Sequence, residues 1–246
     1  MAQRTGKDSD YYLLKADSAQ VRVATRQRRV MYEQFVQLLE VGAETTILDV
    51  GVADDRAHGE ATNYLENWHP YPHKITALGL GDASFLRDEH PGLTFVAGNG
   101  LFLPFRDQSF DVVHCAAVIE HVGTPQNQSL LVSECARVAR RGFVITTPNR
   151  WFPVEVHTSI PLVHWFPKPL HRAFLSYFGY AYYCQEENLN LMDRNDFRSI
   201  GSRLADYDTQ TLSVPLFCFT SNLMFAGQRI KMHRPPVQAL MPEPGA

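Results

Sequence analysis

Cysteine is scarce in this chain, and what there is lies scattered. Four cysteines occur among 246 residues, Cys115, Cys135, Cys184 and Cys218, with no C-x-x-C pair and no Cys/His cluster at metal-ligand spacing. This excludes a disulfide framework and a cysteine-built zinc module, and reduced thiols are the expectation. Long apolar runs are missing too. No uninterrupted stretch reaches the roughly 18 residues that a membrane-spanning helix needs. Positive charge is not in excess: 23 Lys and Arg against 26 Asp and Glu give a net charge of −3. A nucleic-acid partner recognised by an overall basic field is therefore not expected. The local clusters at Arg22, Arg26, Arg28 and Arg29, and at Arg137, Arg140 and Arg141, read as solvated helix faces. The opening "MAQRTGKDSD" is polar and shows no signal peptide, so a cytoplasmic location is expected. There is no internal repeat, and low complexity is confined to "PPVQALMPEPGA".

What is present is an alternation of strand and helix patterns. After Ser18, a plausible N-cap, Val21, Val30, Met31, Phe35, Leu38 and Leu39 form a helical apolar face. "TTILDV" is β-branched and apolar on both faces, as a central parallel strand should be. Then come a helix in "EATNYLENW", a strand in "KITALGL", a short helix in "DASFLRDE" and a strand in "LTFVAG". "FDVVHCA" reads as strand, "NQSLLVSECARVARR" as amphipathic helix and "GFVITTP" as strand. Strands separated by helices or long crossovers predict a doubly wound, mostly parallel α/β sheet with helices on both faces. "DTQTLSVPLFCFTSNLMFAGQ" predicts an antiparallel pair at its edge. The rhythm breaks between Trp151 and Leu191, where Pro153, Pro161, Pro167 and Pro169 interrupt any long element. The expected organisation is one domain over residues 1–246, with an N-terminal helix at about 18–40, an insertion or lid at about 151–190 and a flexible tail at about 234–246.

Ligands of such sheets bind beyond the carboxyl ends of the strands, where strand order reverses. That rule selects Asp49 and Gly51, Gly79 to Asp82, Gly98 to Leu101, Ala116 to His121, and Thr147 to Asn149. Glycine is sparse at the first of these: "DVGVADD" holds one where nucleotide crevices hold two or three.

The succession "ILDVG", "FVAGNGLFLPFRDQSFDVVHCAAVIEHVG" and "RVARRGFVITTPN" resembles the class I S-adenosylmethionine-dependent methyltransferases, in particular the small-molecule type 11 group. The resemblance runs from Val41 to Asn149, with a looser match from Leu191 to Gln228. It implies strand order 3-2-1-4-5-7-6 with strand 7 antiparallel, and S-adenosylmethionine as cofactor. By resemblance, Asp49 and Gly51 hold the methionine end of the cofactor, and Asn99, followed by the backbone of Gly100 and Leu101, addresses the adenine. Ala116 and Ala117 pass under the sulfur, and Asp111 matches an acid for which a structural role is as good a reading. Two departures stand out. Ala53 and Asp55 replace the second and third glycines of the first motif, where Asp54 or Asp55 could pair with the cofactor's ammonium or repel its carboxylate. The ribose-gripping acid expected at Gly79 to Gly81 is absent, and Asp82 is the nearby replacement.

Methyl transfer from a sulfonium is an in-line displacement, and an oxygen nucleophile also needs its proton removed. His121, after Glu120, is the candidate base beside the methyl group; the competing reading is that His121 caps a loop while Glu120 pairs locally. His114, inside its strand, reads as a satisfied core histidine. Asn149, Arg150, Glu155 and His157 are candidates to line an acceptor pocket roofed by Trp151, Phe152 and Trp165, against the alternative that these aromatics are the insertion's own core. The reading is methyl transfer to a small-molecule or lipid-linked acceptor at oxygen, with no metal and at most weak membrane-surface contact. The rivals are a non-catalytic binding module on the same fold, supported by the altered loop, and a nicotinamide-dependent oxidoreductase, disfavoured by the missing Gly-x-Gly-x-x-Gly and Tyr-x-x-x-Lys.

Overall fold

The computed structural model describes residues 19–54 and 62–230. Ser18, Asp55 and the tail at 234–246 lie outside the described residues. Seven strands form one sheet: β1 (Ile47–Val50), β2 (Ile75–Gly79), β3 (Thr94–Ala97), β4 (Phe110–Ala116), β5 (Ala139–Pro148), β6 (Tyr207–Leu216) and β7 (Phe219–Arg229). Their order is β3-β2-β1-β4-β5-β7-β6. β1 pairs in parallel with β2 and β4, β2 with β3, and β4 with β5, while β7 runs antiparallel to both β5 and β6. The doubly wound fold with its antiparallel edge is as expected.

Because side chains alternate along a strand, adjacent residues feed cores on opposite faces. Leu48 and Val50 of β1 join Val113, Phe143 and Ile145 on one face. α4 (Pro125–Val138) covers it with Leu131, Val132 and Cys135, and α6 (Arg194–Gly201) adds Phe197 and Ile200. Ile47, Val112 and Val144 point to the other face, which is covered by Met31, Tyr32 and Phe35 of α1 (Ala19–Leu38), Tyr64 and Leu65 of α2 (Tyr64–Trp68) and Leu86 of α3 (Leu86–Glu89). All four residues of β1 are buried, which explains its apolar character on both faces and leaves Asp49 as the one buried acid of the strand.

Three local features differ from the sequence expectation. Arg140 and Arg141, read as part of a helix face, stand in β5 because the helix ends at Val138. The insertion contains a ten-residue helix, α5 (Lys168–Tyr177), which the proline spacing had argued against. Pro169 lies in its first turn, where a missing N–H costs nothing because that donor has no helical partner. Leu175 of α5 packs with Tyr183, Leu189 and Leu191 in a small separate core. α6 was not read from sequence, although Asp193 and Asp196 form a reciprocal capping box at its start. Among the described residues, no helix is long and apolar enough to cross a membrane.

Asp111 is a structural residue. Its Oδ2 accepts from the N–H and hydroxyl of Thr46, both at 2.9 Å, and Oδ1 accepts from Arg140. Burial alone would raise its pKa, but those three donors pull it below the ordinary aspartate value. With a lowered folded-state pKa, the stabilisation is fully present above about pH 4 and fades as pH falls through the folded value. Asp111→Asn should therefore lower stability by about 1–2 kcal/mol at neutral pH, and denaturant midpoints of the two proteins should converge as pH falls below the folded aspartate's pKa.

Candidate active site

The carboxyl ends of β1 and β4 open onto a cavity of about 560 Å³, within the usual range of small-molecule sites. Asp49, Gly51, Val52 and Ala53 line it from β1 and its loop, and Ala116 and Ala117 from the end of β4. Gly51 has φ 94 and donates its N–H to Leu78 O at 2.7 Å. A Cβ at position 51 would lie 2.2 Å from Val118 Cγ2, so the position demands glycine both for its backbone and for its space. Ala117 also takes a left-handed φ of 55, held by its N–H to Thr146 O at 2.9 Å. Such a conformation in a residue other than glycine is retained where the surroundings enforce it, commonly at functional sites.

A buried polar chain forms the floor. β1 and β4 pair with Asp49 opposite His114. Asp49 Oδ1 accepts from His114 Nδ1 at 2.7 Å, which leaves Nε2 to accept from the Tyr64 hydroxyl at 2.8 Å. His114 is thus the satisfied core histidine expected, yet with Tyr64 it also lines the cavity. Glu66 is buried beside Asp49. Burial and the neighbouring Asp49 charge push its pKa well above the ordinary range and favour its neutral form.

The other half of the cavity is built by the turn after β4 and by the insertion. Glu120, His121, Phe152, Val154, Val156 and His157 line it, with Leu216, Ser221 and Asn222 from the β6–β7 hairpin. His121 and His157 face each other through Nε2 at 3.2 Å, rings perpendicular at 89°. Their Nδ1 atoms are both engaged, His157 with Glu155 Oε1 and His121 with Asn188 O, each at 2.7 Å. Burial would raise the pKa of Glu155, but His157 and the N–H and hydroxyl of Thr158 hold it down at about 2. Glu120 is fully buried, and burial raises its pKa. Its Oε2 accepts from the Thr147 hydroxyl at 2.9 Å, while Oε1 has no partner among the described residues.

The cavity thus brings together Asp49, Gly51, Ala116, Ala117, Glu120, His121 and His157. The other candidates stand elsewhere. Asp82 is exposed and accepts from the N–H of Ser84, and Asn99 is exposed and accepts from the N–H of Leu101. Gly100 packs against Leu131 and Val50, and Leu101 against the adjoining core. Asp54 sets its carboxylate against Gly81, where an added Cβ would meet Oδ2 at 1.9 Å. Asn149 stitches β5 to β7 through Thr220 O and Ser221 O. Arg150 donates to Phe166 O and lies over the Trp151 ring, and Trp151 donates to Asp193. None of these eight lines the cavity. Sequence reading missed Tyr64, Asn63 and Gln27, because nothing in a helix pattern marks which residue faces a distant strand end; all three line the cavity.

Residues 48–146 match the family model described as a methyltransferase domain. That stretch resembles a class I S-adenosylmethionine-dependent methyltransferase domain. A Mycolicibacterium smegmatis protein named "Probable S-adenosylmethionine-dependent methyltransferase" is 43% identical over 81 residues, 31% of this chain and 30% of that relative. The match therefore spans under a third of the relative's length. Among solved structures, a Pyrococcus horikoshii protein is similar with TM-score 0.56 at 11% identity, over 90% of this chain and 99% of that one. The magnesium protoporphyrin IX methyltransferase of Synechocystis, solved with bound S-adenosylhomocysteine, is similar with TM-score 0.53 at 12% identity, over 91% of this chain and 93% of that one. At such identities the likeness is one of fold. The residues at the ends of β1 and β4 fit S-adenosylmethionine at its methionine end: a tight glycine turn at Gly51, left-handed backbone at Ala117 and a buried carboxylate at Asp49.

Gly51→Ala should lower stability by about 1–3 kcal/mol through its forced left-handed backbone and weaken S-adenosylhomocysteine binding. Gly42→Ala, where nothing lies within 4 Å of the added carbon, should change neither. Denaturant melts and calorimetric titration of the three proteins check this.

Proposed function

We propose that this chain transfers the methyl group of S-adenosylmethionine to a hydroxyl oxygen of a small-molecule or lipid-linked acceptor. The observation that carries the reading is a single cavity that joins the methionine-end backbone, at Asp49, Gly51, Ala116 and Ala117, to the facing pair His121 and His157. The acceptor half is walled by Phe152, Val154, Val156 and Leu216, which suits an acceptor with a substantial apolar part. In the reaction the acceptor oxygen attacks the methyl carbon in line with the departing sulfur, the C–S bond breaks, and the acceptor proton passes to the imidazole pair. Glu155 orients His157 and offsets its positive charge. Glu120 supports the turn that presents His121.

The adenosine half of the cofactor would lie towards Asp54, Asp82 and the segment Asn99 to Leu101, along the open ends of β2 and β3. Asn149, Arg150 and Trp151 would act by holding the insertion over the acceptor rather than by touching it. The chain then works as one domain, with residues 151–190 as its lid. A cytoplasmic setting fits its four free cysteines.

The test is transfer of labelled methyl from S-adenosylmethionine to a panel of hydroxylated lipids, phenols and sugars, with calorimetric titration of S-adenosylhomocysteine alongside. His121→Ala should reduce turnover by roughly a hundredfold or more and leave S-adenosylhomocysteine affinity nearly unchanged. Turnover equal to wild type in that variant would remove His121 from the reaction. Failure of the unmodified chain to bind S-adenosylhomocysteine would leave the fold as a binding module without transfer.

A further inference from the structure

His121 Nδ1 faces a carbonyl oxygen and His157 Nδ1 faces a carboxylate, two groups that only accept hydrogen bonds. Both Nδ1 atoms therefore carry their protons. In the neutral rings this leaves two unprotonated Nε2 atoms 3.2 Å apart, an arrangement that a shared cation relieves. A proton satisfies that pair alone. It leaves Glu120 Oε1, on a residue with no exposed surface, still without a partner among the described residues. The ligand atoms of Glu120, His121 and His157 all lie within 4.8 Å of one another.

We propose that Glu120, His121 and His157 form a binding site for a divalent transition-metal ion of the zinc type. At a metal–nitrogen distance of about 2.0–2.1 Å, two imidazole ligands of a tetrahedral ion stand about 3.3 Å apart, close to the 3.2 Å separation seen here. Two histidines and one carboxylate are a donor set for zinc-like ions that leaves a coordination position open. Each histidine also has its second nitrogen fixed by an oxygen acceptor, Glu155 or Asn188 O, which is the arrangement that sets the tautomer and ring orientation of metal-ligating histidines. Glu120 is held in the same way through the Thr147 hydroxyl on Oε2, leaving Oε1 for the ion.

All three ligands line the cavity, so the open position faces the acceptor half. The role there rests on the methyl-transfer reading above. An ion at this point would bind the acceptor hydroxyl and lower its pKa, so that the proton leaves to water before the oxygen attacks, and His121 serves as a ligand instead of taking the proton itself. Binding of the ion does not depend on that reading.

The experiment uses the full chain, stripped with a chelator and dialysed. ZnCl2 is titrated by calorimetry, CoCl2 by visible d–d absorption, and S-adenosylhomocysteine separately. Glu120→Gln, which keeps the shape and the Thr147 contact, and His157→Gln are the variants, with circular dichroism as a check on folding. The expected result is one ion per chain, with affinity reduced on the order of 100-fold or more in both variants and S-adenosylhomocysteine binding retained. No stoichiometric ion in the wild type, or equal affinity in either folded variant, overturns the site. S-adenosylhomocysteine binding without ion binding removes the ion and leaves the methyl-transfer reading standing. Ion binding without S-adenosylhomocysteine binding supports the ion site and removes that reading.

Discussion

The pairing of β1 with β4 places a buried carboxylate opposite a buried imidazole, and the site is arranged around that bond. Asp49 and His114 lie at the point where the sheet reverses direction, with β2 and β3 to one side and β5, β7 and β6 to the other. An unpaired carboxylate there would cost several kcal/mol in desolvation. The pairing with His114, extended to Tyr64, lets a polar floor exist between two apolar cores. Tyr64 in turn fixes α2 against the open end of the sheet, so the same chain of hydrogen bonds that relieves the buried charge also positions one wall of the cavity.

The acceptor half depends on a second set of polar contacts, between the turn at Ile119–His121 and the far end of the insertion. The Asn190 N–H donates to Glu120 O, its Nδ2 to Gly123 O, and Lys168 donates to its Oδ1. Gln128 of α4 reaches both Ile119 O and Asn190 O. The turn that carries His121 and the return of the insertion towards β6 are thus tied through one asparagine. Two stretches 36 residues apart in the chain are brought within hydrogen-bond distance by the insertion's return path.

Legibility in the sequence follows the range of the forces involved. The strands of the sheet were readable because β-branched and apolar runs report burial on two faces, and strand order followed from a motif succession that spans β1 to β5. Gly51 was selected by its place at a strand end and Ala117 by the motif resemblance, and both take left-handed backbone. The distant contacts were not. No local pattern says that Tyr64 meets His114, that Asn188 O orients His121, or that Asn149 joins two strands instead of facing a ligand. The prolines of the insertion misled for a different reason: Pro169 excludes helix before itself and is compatible with helix after it.

The contact between Asp54 and Gly81 has a consequence for how this sequence can drift. The carboxylate fills the volume into which a side chain at position 81 would project. A residue gained at position 81 must therefore turn the Asp54 carboxylate aside, and the cost is small because that carboxylate is the free end of a rotatable side chain. A substitution on the β2 side is thus felt first as a re-aiming of the acid on the β1 loop, and only then as a change in the backbone of either strand.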